Sequence, residues 1–246
     1  MKILVIGETC KDIFHYGDCS RLCPDAPVPV FKLISTKENW GMARNVESNI
    51  HSLGSEVGLI TNRSAATITK IRYMDNRTNH MFLRVDENDD EYGMLTEEEM
   101  EKVDFSQYDA VAVSDYNKGF LSEEILKKIS LLHDIVLIDT KRVVGEWAED
   151  FLFIKLNSKE HESTKHTLTE KLINKVIVTK GPQGAQHGES LYPVPAVEVK
   201  DTSGAGDTFM AALCFKYVES RDIGTAIRFA NECATRVVQR RGVNII

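Results

Sequence analysis

Residues 200–213 read KDTSGAGDTFMAAL: two glycines around a small residue, then an aspartate at the mouth of an apolar run. A strand-like VPAVEVK (194–200) precedes the stretch and FMAAL (209–213) follows it, so the glycines are predicted to sit where a strand turns into a helix. Backbone N–H groups exposed at a helix start, with glycines that allow close approach, make a cup for an anion. The amides from Ser203 to Asp207 can therefore surround a transferring phosphate, and Asp207 can take a proton from an attacking hydroxyl. A tight turn that binds nothing is the alternative, and two glycines alone do not decide between them. The flanking Asp201, Thr202 and Asp207 weigh toward the anion. GAGDTF lacks the third glycine of the dinucleotide fingerprint and lies far from the N-terminal strand that usually carries it. No G-x-x-x-x-G-K-[ST] occurs, which excludes a P-loop.

Outward from this loop, short β-branched runs recur: ILVIG (3–7), VGLI (57–60), AVAVS (110–114), IVLID (135–139), FLFIK (151–155) and VIVTK (176–180). Their near-continuous apolarity is that of strands buried on both faces. Helical patterns lie between several of them. GMARNVESNIHSLG (41–54) carries Val46, Ile50 and Leu53 and ends on a glycine. SEEILKKISLL (122–132) opens on a serine N-cap followed by acidic residues. From Asp222 onward, Ile223, Ala226, Ile227, Ala230, Ala234, Val237 and Val238 follow the i, i+3, i+4 rule of a helix with one buried stripe. Alternating strand and helix predicts an α/β fold with a mostly parallel central sheet. Two regions break the alternation, 10–36 and 67–86, and the second reads as two strands around Asp75-Asn76. By the period of two, Ile68, Lys70 and Arg72 share one face while Thr69, Ile71 and Tyr73 share the other. Such a hairpin inserted into an α/β domain is expected to serve as a lid.

A chain of 246 residues is long enough for one large domain with a buried core, and residues 1–246 are expected to form it. The net charge of −7 argues against a surface built for nucleic acid. No apolar run approaches the roughly 18 residues of a membrane helix, and the N-terminus lacks the apolar core of a signal peptide. Five scattered cysteines (Cys10, Cys19, Cys23, Cys214, Cys233) do not read as a disulfide framework. A cytoplasmic, reduced protein with neither membrane nor nucleic-acid partner is expected. His15-x3-Cys19-x3-Cys23 fits no common zinc spacing, and HESTKH (161–166) is one residue too long for H-E-x-x-H.

DTSGAGDTF resembles the C-terminal signature of the ribokinase-like (PfkB) carbohydrate kinases, and the first strand followed by Asp12, Gly41 and Asn45 resembles the same family. More narrowly, GDCSRLCPDAPVPV (17–30), TITKIRY (67–73), FLRVDEN (82–88), SDYNKG (114–119), IDTK (138–141) and LNSKE (156–160) are similar to the D-glycero-D-manno-heptose 7-phosphate kinases. The resemblance implies a ribokinase-like three-layer α/β/α fold with a small β lid, ATP and Mg²⁺ as cofactors, and phosphorylation of the anomeric hydroxyl of the heptose 7-phosphate to give the 1,7-bisphosphate. It implies Asp207 as catalytic base and Gly204, Ala205 and Gly206 as anion hole. Asn157 and Glu160, the N-x-x-E pair, match the place of Mg²⁺, held through water, and of the nucleotide phosphates. Thr179, Lys180, Gly181 and Gly184 match the nucleotide site, and Asn231 a wall beside the adenine. Asp201 and Thr202 match a monovalent-cation site, where K⁺ is the ion expected. Asp12, Gly41 and Asn45 match sugar-hydroxyl contacts. A phosphorylated sugar also needs cations for its own phosphate, and Arg44, Lys70, Arg72 and Lys118 are the candidates. A homodimer through the lid is expected, since exposed hairpin edges want covering.

Three departures stand out. Met42 replaces the second glycine of the family's GG-x-x-N, and Arg44 its small neighbour. Between Gly58 and Thr67 the chain is much shorter than in the kinases it resembles, which shrinks one sheet edge. No nucleotidyltransferase domain follows Ile246, so the kinase step alone is expected. Met42, Arg44 and the shortening leave open a kinase of the same type acting on another sugar or sugar phosphate. A non-catalytic sensor of sugar phosphate or nucleotide on the same scaffold is the alternative from another class, although a mere binder has no need of Asp207.

Overall fold

The computed structural model describes residues 1–246. In the first strand, β1 (Lys2–Gly7), Ile3 and Val5 enter one core while Leu4 and Ile6 enter another, all at 1% exposure or less. A strand apolar at both parities has no solvent face, and layers of helix must cover it twice. The chain continues through β2 (Thr9–Asp18), β3 (Lys32–Met42), α1 (Ala43–Ser52), β4 (Glu56–Ile60), β5 (Thr69–Asp75), β6 (Met81–Glu87), α2 (Glu97–Glu101), β7 (Ala110–Asp115) and α3 (Glu123–Leu131). Then follow β8 (Val136–Thr140), β9 (Phe153–Asn157), α4 (Ser158–Thr164), α5 (Glu170–Ile173), β10 (Val176–Thr179), β11 (Ala185–His187), β12 (Ser190–Tyr192), α6 (Ala205–Ser220) and α7 (Ile223–Val237).

Eight strands form the central sheet in the order β12-β11-β10-β9-β8-β7-β1-β4. All pairs from β10 to β4 are parallel, and only β11 and β12 run antiparallel at one end. On one face α1, α6 and α7 bring Ile50, Leu213 and Ile227 against Ile3, Val5 and Ala112. On the other, α3 brings Ile125, Leu126 and Ile129 against Leu4, Ile6 and Val113. The fold is thus the ribokinase-like α/β arrangement with a mostly parallel sheet. α6 has no single apolar stripe; Asp207 to Cys214 are all buried, as expected of a helix enclosed on every side. The cap anticipated at Ser122 is present, accepting from Ile125 N at 3.2 Å, and Asp222 caps α7 by accepting from Thr225 N at 2.7 Å.

A separate sheet of four strands, β3-β2-β5-β6, stands apart from the central one. The expected hairpin is β5–β6, its turn held by Asp75 Oδ1, which accepts from Arg77 N at 2.8 Å and Thr78 N at 2.7 Å. It does not stand alone, since β2 pairs with β5 in parallel and with β3 antiparallel. β4 is the outermost strand of its end of the central sheet, and residues 61–68 lead from it directly into the small sheet.

One expectation is corrected. VPAVEVK forms no strand: after β12 the chain runs irregularly to the glycine loop, pinned where Lys200 N and Asp201 N donate to Val238 O. Pro193 and Pro195 supply no N–H for a ladder and fix the backbone, so the segment cannot pair. No helix is long and apolar enough to cross a membrane, and all five cysteines are free thiols. Leu126→Ala, which removes a fully buried side chain from the α3 layer, is expected to cost about 2–5 kcal/mol in a urea unfolding curve.

Candidate active site

Parallel strands in an open α/β sheet leave their carboxyl ends free for ligands. Here those ends carry Glu8 after β1, Ser114 and Asp115 on β7, Asp139 and Thr140 on β8, and Asn157 on β9. The start of α6 and the small sheet face the same region. Between them lies a cavity of about 350 Å³. Asp12, Lys70, Arg72 and Arg84 line it from the small sheet, Tyr116, Lys118 and Lys141 from the strand ends, and Ser203, Gly204 and Asp207 from the glycine loop.

The glycine loop is shaped by backbone conformation. Gly204 sits at φ 77, ψ 0, left-handed, and a Cβ there would lie 2.7 Å from Asn45 Nδ2, so no other residue fits. Ala205 N donates to Thr202 O, whereas the amides of Gly204, Gly206 and Asp207 donate to no protein acceptor. These are the free donors of a helix N-terminus, collected in one place. Asp201 keeps the loop folded, with Oδ1 accepting from Ser203 N at 2.9 Å and Oδ2 from Gly242 N at 3.0 Å.

Asp207 is the buried carboxyl of this loop. Its Oδ1 accepts from Tyr116 Oη at 2.7 Å and its Oδ2 from Asn45 Nδ2 at 3.0 Å. Burial pushes its pKa up to about 6, although both hydrogen bonds pull the other way. A carboxyl with that pKa is ionised at neutral pH yet basic enough to accept a proton. Tyr116 owes its place to Glu8, whose carboxyl accepts from Tyr116 N at 2.9 Å and Lys118 N at 3.1 Å. Burial, aided by Asp115, pushes the Glu8 pKa up to about 6.

The cations of the cavity are paired. Arg72 Nη1 donates to Asp12 Oδ1 at 2.5 Å, and Lys70 Nζ donates to Asp89 Oδ1 at 2.5 Å. Lys118 is bonded to Asp89 Oδ2. Gly41 lies outside the lining, but a Cβ on it would fall 2.2 Å from Asp12 Oδ2, so its bareness gives that carboxylate room. Arg44 does not reach the cavity; its guanidinium stacks over Trp40 at 4.8 Å. Asn45 meets Asp207 and lies outside the lining. Met42 does line it, with φ 59 and ψ −133, a region natural to glycine and strained for a side chain.

The N-x-x-E pair forms the capping box of α4. Asn157 Oδ1 accepts from Glu160 N at 2.9 Å, and Glu160 Oε2 from Asn157 N at 2.7 Å. Lys141 Nζ lies 2.6 Å from Glu160 Oε1 and 3.7 Å from Asp139 Oδ1, a buried oxygen that has no hydrogen-bond partner. Asp139 also holds Lys155, whose ammonium lies against Gly206. Both carboxylates are engaged by lysines and no group of three or more His, Cys, Asp or Glu side chains gathers here, so a hard cation such as Mg²⁺ would be reached only through retained waters. Thr179, Lys180, Gly181 and Gly184 follow at the end of β10, where Lys180 N donates to Gly184 O at 2.7 Å. Asn231 on α7 donates to Tyr192 O at 2.7 Å, beside the same end of the sheet. The residues expected at a nucleotide therefore lie at the β9–β10 end and those expected at a sugar lie toward the small sheet, where Asp207 also lines the cavity. Sequence reasoning missed Tyr116, Glu8, Asp89, Lys141 and Lys155 as site residues. Tyr116 and Lys141 stand inside the quoted SDYNKG and IDTK blocks, the one signal that could have found them.

Residues 146–246 match the model of a family described as pfkB family carbohydrate kinase. Over 98% of its length the chain is 30% identical to the bifunctional protein HldE of Helicobacter pylori (strain HPAG1), and 30% to that of Campylobacter jejuni (strain RM1221). It spans 63% and 62% of the length of those relatives. The first alignment extends over 300 positions against a chain of 246 residues, so that relative carries additional residues inside the matched region. Among solved structures it is similar to the ribokinase of Thermotoga maritima, with a TM-score of 0.70 at 18% identity, covering 98% of this chain and 94% of that one. It is similar too to Arabidopsis thaliana ribokinase complexed with ribose and ATP, with a TM-score of 0.69 at 17% identity, covering 98% and 93%. At these identities the structural likeness speaks for the fold.

Tyr116→Phe removes a hydrogen bond that favours the charged form of Asp207 and should raise the Asp207 titration midpoint above about 6. A bond to a charged group contributes about 1.5–3 kcal/mol, so the expected rise is about 1–2 pH units, read by carboxyl ¹³C NMR.

Proposed function

We propose that the chain is a carbohydrate kinase of the PfkB type, a phosphotransferase with an alcohol group as acceptor, as its likeness to the family model, to the HldE proteins and to the ribokinase fold supports, and that it moves the γ-phosphoryl group of ATP to the anomeric hydroxyl of D-glycero-D-manno-heptose 7-phosphate, giving the 1,7-bisphosphate. The observation that carries this reading is the buried Asp207, its pKa up at about 6, beside three free loop amides in a cavity walled by Lys70, Arg72, Arg84 and Lys118. The heptose itself is supported by the likeness of the GDCSRLCPDAPVPV and SDYNKG blocks to the heptose kinases.

The hydroxyl of the sugar lies against Asp207, which still has lone pairs free beyond its bonds to Asn45 and Tyr116. As the hydroxyl oxygen forms its bond to the γ-phosphorus, its proton passes to Asp207 and the bond from that phosphorus to the β-phosphate oxygen breaks, releasing ADP. The amides of Gly204, Gly206 and Asp207 donate to the equatorial oxygens where charge gathers. Asp12 and Asn45 orient the sugar and the base. Asn157 and Glu160 would hold Mg²⁺ through water, and that ion supplies charge neutralisation on the phosphates. Asp201 and Thr202 form the monovalent-cation place, and Thr179, Lys180, Gly181, Gly184 and Asn231 the nucleotide site. Residues 1–246 act as one kinase domain in the cytoplasm, with the small sheet as lid. A second reading, another sugar phosphate as acceptor, is favoured by Met42, whose strained backbone and long side chain narrow the cavity where the family has glycine.

ADP release across a panel of sugars and sugar phosphates tests both. The heptose 7-phosphate should be the best acceptor, and activity restricted to a non-phosphorylated sugar overturns the sugar-phosphate reading. Asp207→Asn should lower kcat by about 10²–10⁴-fold with its melting temperature as control. Because Asp207 must be ionised to accept the proton, kcat/KM should be level above about pH 6 and fall as pH drops through it. The edge strands of the lid expose Leu33, Ile34, Phe82 and Leu83, the surface through which a homodimer forms. Sedimentation should give a dimer for the wild type and a monomer for Leu33→Glu combined with Phe82→Glu.

A further inference from the structure

Asp89 lies in neither sheet. It follows Asn88, which takes a left-handed φ of 56, in the link between β6 and α2. Its two oxygens are divided between two lysines from unrelated elements: Oδ1 accepts from Lys70 of β5 at 2.5 Å, and Oδ2 from Lys118 of the turn after β7. Tyr92 Oη also donates to Oδ1, at 3.0 Å. The Lys70 side chain is only 7% exposed, and an ammonium so buried requires a counter-charge. Asp86, at 3.6 Å, is the more distant of its two partners.

One oxygen per lysine is the geometry in which a phosphate monoester offers two of its three oxygens. We infer that Asp89 is the specificity-determining group of the cavity: its carboxylate holds Lys70 and Lys118 as a two-point cradle, and the phosphate dianion of the acceptor binds there by displacing it. The exchange puts two negative charges where one stood, on the same two cations. A sugar hydroxyl offers no charge, and displacing Asp89 for it would leave buried Lys70 with only the more distant Asp86, which disfavours non-phosphorylated sugars. Arg72 is not part of the cradle, because its guanidinium is committed to Asp12 within the small sheet. Although burial alone would raise the carboxyl of Asp89, the bonds from Lys118 and Lys70 hold it down at about 2, so Asp89 is ionised across the working pH range. The side chain of Asp89 is 20% exposed, and its neighbours Asp90 and Glu91 in the same link are both exposed, so a swing outward takes it to solvent.

The inference rests on the sugar-phosphate reading for the identity of the acceptor only, and its test uses inorganic phosphate. Calorimetric titration of phosphate at pH 8 compares wild type, Asp89→Asn, Asp89→Glu, and Asp89→Asn combined with Lys118→Met. Asp89→Asn should bind phosphate at least tenfold more tightly than wild type, Asp89→Glu should restore the weak binding, and the double variant should lose the gain. Phosphate bound at the glycine loop is common to all four proteins and cancels in the comparison. Unchanged or weaker binding in Asp89→Asn, or a gain that survives Lys118→Met, overturns the inference and makes Asp89 a mere brace for the lysines. Asp89→Ser serves should the asparagine variant not fold. In the kinase assay the same variant should show a lowered KM for the sugar phosphate and an unchanged KM for ATP. If wild type releases ADP with no sugar phosphate, the kinase proposal falls while the phosphate titration still decides this one.

Discussion

Asp207 accepts from Asn45 on α1 and from Tyr116 after β7, and so ties together three elements separated by 162 and 91 residues of chain. Around it the polar contacts continue: Asn49 donates to Asn45 O at 2.8 Å, and its Oδ1 accepts from Thr208 and from the N–H of Ile246. A carboxylate in such a place is costly to bury, and its raised pKa records the cost. Since the folded pKa lies above the unfolded one, the cost of this group to stability sets in as the pH rises above the ordinary carboxylate value of 3.8, is full above about 6, and is lost again as the pH falls back through that window. Two large apolar cores on either face of the sheet offset that cost. This buried carboxyl is held in place because the scaffold, rather than the site, supplies the stability.

The cavity repeats the theme with cations. Lys70, Arg72 and Lys118 converge from the small sheet and from a strand end, and each is met by an aspartate. Unpaired, such a group of like charges next to the apolar side chains of Phe14 and Met42 would repel itself and resist burial. Paired, it is a store of positive charge that an anionic ligand can claim. Glu8 does the corresponding work for the backbone by collecting the amides of Tyr116 and Lys118, so one buried acid positions both a partner of the base and a lysine of the cradle.

Much of the fold was legible because burial on both faces leaves a mark in composition. The runs at 3–6, 110–113 and 135–138 are apolar at every position, and only a two-sided sheet gives that pattern a use. The small sheet was legible by its period of two, which put Lys70 and Arg72 on one face; both line the cavity. VPAVEVK failed because its β-like composition outweighed its prolines, and a strand needs donors that Pro195 cannot supply. Arg44 failed for a different reason. A cation near a sugar motif satisfies a charge argument, but its direction was fixed by Trp40, which offers its ring face closer at hand.

By itself the sequence determined the alternation of elements, the glycine loop with Asp207 at its end, and the cap at Ser122, all of which depend on residues near one another in the chain. That Gly204 takes a left-handed conformation, which favours glycine, was visible only in the structure. Tertiary structure alone decided which acid each cation meets, that Tyr116 and Asn45 share Asp207, and that Met42 bears a backbone conformation meant for glycine. Those facts join residues tens to hundreds of positions apart, and pairing of that range follows from packing and charge compensation in three dimensions, which no local pattern records.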